Sequence, residues 1–246
     1  MKSEEPGDAR IVDSRRIPFG YTAPAMIKAL IFDFDGLIVD TELPDYESWQ
    51  QVYRQHGCEL AVEAWGQIVG GTGASDFDPH SHLERLCGQE LDREEIWINR
   101  RKLYLDSITQ QPILPGVLEI LESAERLGLG LGVASSSPEN WVRGHLARLG
   151  LYQRFDTIKT AEDVERTKPH PQLYLAAMDA LGIEPSEGIV FEDSPNGVKA
   201  AKSAGLFCVV VPNKVTTQLR FAGADLRLNS LADLGLGNII EQAEKQ

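Results

Sequence analysis

Asp33 and Asp35 stand two residues apart in Phe32-Asp33-Phe34-Asp35-Gly36, where an apolar run ends. Two carboxylates that close repel each other at neutral pH, and a divalent cation is the simplest means of keeping both ionised. A turn in which Asp35-Gly36 merely reverses the chain accounts for the same residues. A second apolar run ends in Ser135-Ser136-Ser137-Pro138. With Ser137 as a helix cap and Pro138 at the first helical position, Ser135 and nearby amides are left to hold an anion, although capping alone explains the cluster as well. In Thr167-Lys168-Pro169-His170-Pro171, Pro169 keeps Lys168 out of helical geometry, so an extended backbone aims its ammonium; a solvated surface lysine is the alternative. Glu192 and Asp193 end another apolar run and can complete an oxygen-rich site for a hard cation, or cap the helix that follows.

Each segment needs an element to position it. Short apolar runs at 27–34, 129–134, 188–191 and 206–211 predict buried strands. Helical periodicity at 115–127 and 171–181 places Val117, Ile120, Leu121, Ala124 and Leu127 on one face of the first, and Leu173, Leu175, Ala176, Ala177 and Leu181 on one face of the second. This alternation predicts an α/β fold with a parallel sheet covered by helices, and active sites in such sheets gather at the carboxyl ends of the strands. Residues 43–112 break the alternation, with helical patterns at 46–54, 63–69, 80–86 and 94–108, and read as an all-helical insertion. Residues 1–25 are rich in charge, Gly and Pro without a period, and read as a poorly ordered leader.

Acid pair, hydroxyl, lysine and acid pair follow in that order, joined by Asp40-Thr41-Glu42 and by Glu-Asp-Ser-x-x-Gly-x-x-Ala-Ala from Glu192 to Ala201. In these motifs the chain resembles the haloacid dehalogenase superfamily, within it the branch of β-phosphoglucomutase and related sugar-phosphate phosphatases. The resemblance implies a Rossmann-like core domain (26–42 and 113–246) with an inserted helical cap domain (43–112). It also implies a Mg2+-dependent phosphatase working through an aspartyl phosphate. Asp33 is then the nucleophile, Asp35 the general acid and base, and Lys168 the group that neutralises Asp33 and follows the phosphoryl oxygens. Ser135, Ser136, Lys168 and Gly36 hold the phosphate. Asp33, the backbone carbonyl of Asp35 and Asp193 bind the metal, with Glu192 in or just outside the coordination sphere. By the same resemblance the Lys168–Pro169 bond is cis, Gly70-Gly71-Thr72-Gly73 is the specificity loop of the cap, and Arg100 or Arg101 faces the site.

Two positions depart from the β-phosphoglucomutase pattern: Asp45 replaces a histidine, and Gly73 replaces an arginine that grips a distal phosphate. Both favour hydrolysis over a phosphomutase. A catalytically silent binding protein is disfavoured because every catalytic position is intact, and retention of Asp35 disfavours a carbon–halogen hydrolase. The stretch Asp76-Phe77-Asp78-Pro79-His80-Ser81-His82 alternates acids and histidines as zinc ligands can, but Pro79 and the lack of a partner cluster make it a turn and helix start.

Composition excludes other classes. A formal net charge of −13 over 246 residues repels polyanions and gives no basis for a nucleic-acid surface. Three widely spaced cysteines fit neither a disulfide framework nor a zinc site, so a reducing cytoplasm is expected, with no membrane span or secretion signal. The expected partner is a small phosphorylated metabolite, and the expected state a monomer or weak homodimer.

Overall fold

The structure, a computed structural model, describes residues 26–65 and 77–245. The leader 1–25, the loop 70–73 and the end of the helical pattern at 63–69 lie outside the described residues. In chain order the strands are β1 Ala29–Phe32, β2 Gly130–Ala134, β3 Thr157–Lys159, β4 Gly188–Glu192, β5 Phe207–Val210 and β6 Leu226–Arg227. The α-helices are α1 Glu42–Gln55, α2 Val62–Trp65, α3 Pro79–Cys87, α4 Arg93–Ile108, α5 Val117–Leu127, α6 Glu139–Arg148, α7 Gln172–Leu181, α8 Pro195–Ser203 and α9 Leu236–Ala243.

The six strands form one parallel sheet in the order β3-β2-β1-β4-β5-β6. Strands buried on both faces read as continuous apolar runs, and β1 (Ala-Leu-Ile-Phe) is buried at every residue. Successive side chains alternate between two cores. Leu30, Phe32, Val133, Ile189 and Phe191 pack on one face with α5, α6 and α9; Ile31, Ala134, Val190 and Cys208 pack on the other with α7 and α8. Phe32 and Phe191 stack at 4.9 Å between centroids. This is the expected Rossmann-like α/β core.

Between β1 and α5 lie α1 to α4, with no strand among the described residues of that stretch. They share a separate cluster built on Tyr46, Val52, Tyr53, Trp65, Leu83 and Ile96, to which Val215 from the β5–β6 connection adds. Asp78 caps α3, accepting from the Ser81 N–H (3.2 Å) and hydroxyl (2.6 Å), and it pairs with Arg93 (2.7 Å). That stretch is therefore a helix start. No helix among the described residues is long and apolar enough to cross a membrane.

The short strands β3 and β6 were not expected, and Leu127 and Leu175, expected on the packed faces of their helices, are exposed. The reading of Ser137 as a helix cap is corrected: α6 begins at Glu139 with Pro138 at its cap position, and the Ser137 side chain bonds elsewhere.

Candidate active site

Strand order puts β1 between β2 and β4, with Phe32 level with Val133 and Phe191. The residues that follow these strands, Asp33, Ser135 and Asp193, therefore emerge side by side at one edge of the sheet. This is where the strand order reverses and where open α/β sheets bind ligands. The Asp33 N–H donates to the Phe191 carbonyl at 2.9 Å, extending the pairing past β1. The chain then turns tightly, with the Gly36 N–H donating to Val39 O (2.9 Å) and the Ile38 N–H to Phe34 O (3.0 Å).

Gly36 was expected to help bind phosphate; its amide here donates to Val39 O inside the turn. Its role is steric. At φ +80° it occupies the left-handed region, and a Cβ there would collide with the Asp193 carboxylate and the Asn213 amide.

Four charged side chains meet under this turn, all nearly inaccessible: Asp33, Lys168, Glu192 and Asp193. The Lys168 ammonium pairs with Asp33 Oδ1 and, at 2.6 Å, with Glu192 Oε1, and it lies 5.0 Å from the centre of the Tyr174 ring. The Lys168–Pro169 bond is cis. Glu192 Oε1 also accepts the Tyr174 hydroxyl at 2.5 Å. Its Oε2 accepts the N–H groups of Asp193 (3.1 Å) and Ser194 (3.2 Å) and the Ser194 hydroxyl (3.1 Å). Both oxygens of Glu192 are thus engaged by the protein, and it braces the cluster. Asp193 Oδ2 accepts from Asn213 Nδ2 at 2.6 Å, while Asn213 Oδ1 is fixed by the N–H groups of Val215 and Thr216.

Oxygens of Asp33, Glu192 and Asp193 lie within 4.8 Å of one another, the only such acidic or metal-ligating group among the described residues. One ammonium cannot balance three buried carboxylates. Burial, reinforced by Glu192 and Asp35 and opposed by Lys168, pushes Asp33 up to about 8, and burial with Asp33 and Glu192 holds Asp193 well above the carboxylate range. Burial alone would lower Lys168, but Asp33 and Glu192 outweigh it and hold the ammonium above its ordinary value. Missing positive charge amid hard oxygen donors fits a divalent cation such as Mg2+.

Asp35 turns its carboxylate away from this group, toward the β2–α6 loop. Its Oδ2 accepts the hydroxyls of Ser137 (2.6 Å) and Ser135 (3.2 Å), and its Oδ1 accepts the Trp141 indole N–H (2.9 Å). Ser135 in turn accepts the Ser137 N–H at 3.0 Å, and the Ser136 hydroxyl is buried without a partner. Beside Asp35 opens a cleft of about 770 Å³ whose walls include Thr41, Glu42, Asp45, Arg101, Tyr104 and Trp141. Burial, aided by Asp35, pushes Glu42 up to about 8. Arg101 faces the cleft, whereas Arg100 is taken up by an ion pair with Asp45 and lies over the rings of Trp49 and Tyr104.

Sequence reasoning missed Tyr174, Asn213, Trp141 and Tyr104. Asn213 carried a usable signal, a polar residue three positions beyond the end of β5; the aromatic residues read only as helix faces.

The sequence pattern of the haloacid dehalogenase-like hydrolases matches residues 30–211. The Bacillus subtilis (strain 168) protein YhcW is 46% identical over 221 residues, which cover 90% of this chain and 100% of that protein. Hexitol phosphatase B of Escherichia coli (strain K12) is 31% identical over 232 residues, covering 87% of this chain and 96% of the relative. The crystal structure of β-phosphoglucomutase from Clostridium difficile matches with a TM-score of 0.67 at 26% identity, over 89% of this chain and 98% of that one.

Proposed function

The chain belongs to the haloacid dehalogenase-like hydrolases and is a phosphatase, and we propose that it uses Mg2+ and Asp33 to hydrolyse monophosphates of small sugars or polyols. The observation that carries this reading is the position of Lys168, whose ammonium binds Asp33 and Glu192 together while Asp193 completes the same group.

In the first step Asp33 attacks phosphorus, the bond to the ester oxygen breaks, and Asp35 gives that oxygen a proton; the product alcohol leaves Asp33 as an acyl phosphate. In the second step Asp35, now ionised, takes a proton from water, which attacks the same phosphorus and returns Asp33 as a carboxylate. Lys168 pulls Asp33 toward its ionised form next to an anionic substrate, and Ser135 and Ser136 supply hydroxyls at the phosphate end. Asp33, Asp193 and the Asp35 carbonyl, with Glu192 bracing them, would hold Mg2+, which would supply positive charge against the phosphoryl oxygens. The helical insertion 43–112 acts as the cap that limits water and reads the leaving group.

Hydrolysis is favoured over transfer to a second phosphorylated position by the charge of the cleft wall. Arg101 is the one cation on its described lining; Asp45 and Glu139 are paired with Arg100 and Arg143 and burial raises Glu42 to about 8, which leaves Glu162 beside Arg101. A distal phosphate would find a single arginine and no cluster of cations there.

The test is a panel of phosphorylated metabolites, including hexose 1-phosphates and hexitol phosphates, with and without Mg2+. Inorganic phosphate as product supports hydrolysis; an isomeric phosphate would establish a mutase. Asp33→Asn should abolish turnover of an aryl phosphate, and an unchanged rate would remove the mechanism.

A further inference from the structure

We propose that Trp141 is a positioning residue for leaving-group protonation, and that Tyr104 ties it to the helical insertion. The inference rests on the reading of Asp35 as the general acid.

Trp141 lies near the start of α6, and its indole can only donate a hydrogen bond. That donor is spent on Asp35 Oδ1 at 2.9 Å, while Ser135 and Ser137 hold the other oxygen. Donors on both oxygens fix the rotation of the carboxylate about its own axis, which the serines alone, gathered on one oxygen, would not do. Part of the ring is taken by neighbours, while the rest lines the cleft. Tyr104 stacks on it (5.7 Å, 16° between planes) and the edge of His145 meets it at 4.2 Å and 66°. A tryptophan beside a sugar site invites a stacking role, but Tyr104 and His145 already pack on this ring and its N–H is committed to Asp35, so a contribution through the N–H is what the variants test.

Tyr104 belongs to α4, whereas Trp141 and Asp35 belong to the sheet and its loops. One turn earlier on α4, Arg100 lies over Tyr104 (5.8 Å) and over Trp49 of α1 (5.4 Å), and is pinned by Asp45. The indole that orients Asp35 is therefore packed directly against the helices that frame the leaving group. Loss of the Tyr104 stack should free the indole to tilt, and a misplacement of the order of 1 Å in a proton donor costs about 100-fold.

The experiment compares kcat/KM for a polyol phosphate, whose alkoxide must be protonated as it leaves, with that for 4-nitrophenyl phosphate, whose phenolate needs no proton. Because kcat/KM covers only steps through phosphoryl transfer to Asp33, the ratio of the two isolates protonation. Trp141→Phe keeps the ring and removes the N–H; it should lower the polyol-to-aryl ratio roughly 10- to 100-fold. Tyr104→Ala should lower the ratio in the same direction, and Tyr104→Phe should restore it. Equal losses on both substrates, or no loss, would overturn the proposal, and thermal unfolding of each variant separates a folding defect from a shifted ratio. If Trp141→Phe does not fold, the Tyr104 pair decides by the same ratio. Asp35→Asn must show the split itself. Without it, the reading of Asp35 as acid fails, an outcome distinct from a normal Asp35→Asn result with an unmoved ratio in Trp141→Phe and Tyr104→Ala.

Discussion

Lys168→Met removes the cation from the buried acidic cluster while keeping most of the side-chain volume. The ammonium bridges Asp33 and Glu192, both nearly inaccessible to solvent, so its loss strands two carboxylates beside a third, Asp193. Deleting one partner of a buried ion pair costs about 3–5 kcal/mol. For a chain of this size each kcal/mol moves the melting temperature by about 2–4 °C, so the variant should melt about 6–20 °C lower.

The deficit should depend on pH. Asp33 is raised from 3.8 to about 8, so the native state already loses stability as pH rises between those values, because the unfolded chain gives up its proton first. Lys168 pulls Asp33 down; without it the native value moves higher and the loss continues further up the pH scale. The gap between wild type and variant should therefore be smaller near pH 5, where only the pairing with Glu192 is lost, and widest at about pH 8 and above. Added Mg2+ should narrow it, because the variant's uncompensated carboxylates bind the cation more tightly than wild type does, and each tenfold in affinity at saturating ion is about 1.4 kcal/mol of extra stabilisation. Thermal unfolding in chelator across this range, repeated with Mg2+, gives the answer. A gap under about 2 °C at pH 8, or one that ignores pH, would refute the charge accounting.

Further expectations follow from neighbouring contacts. Asn213→Ala frees Asp193 Oδ2 and should raise the Mg2+ concentration for half-maximal activity about 10-fold; an unmoved midpoint would show that Asn213 does not orient a metal ligand. Gly36→Ala forces a side chain into a left-handed turn and against Asp193 and Asn213, so activity should fall by about 100-fold while circular dichroism stays near wild type; activity within twofold would contradict the close approach. A second phosphate added to the distal end of a good substrate should lower kcat/KM about 10-fold, and less at high salt, because the repulsion from a net charge of −13 is screened; equal rates would show that the protein does not select on charge.

The amino-acid sequence determined the elements whose evidence is local. Runs such as Ala-Leu-Ile-Phe at β1 announce strands buried on both faces, and charged residues placed directly after them, Asp33, Glu192 and Asp193, stand out because such positions tolerate charge only with partners. Lys168, set ahead of a proline, was legible for the same reason. Strands β3 and β6 were not, since three and two residues carry no period. Ser137 was misread because Ser-Pro ahead of a helix satisfies every local rule for a cap, while its actual partner, Asp35, lies 102 residues away. Tyr174 and Trp141 showed only that a helix face is buried, not what it faces. Periodicity and turn chemistry are properties of covalent neighbours and survive in a string of letters. The partners of Glu192, Asp35 and Asn213 depend on which strands lie side by side, and only the sheet order that seats β1 between β2 and β4 decided that.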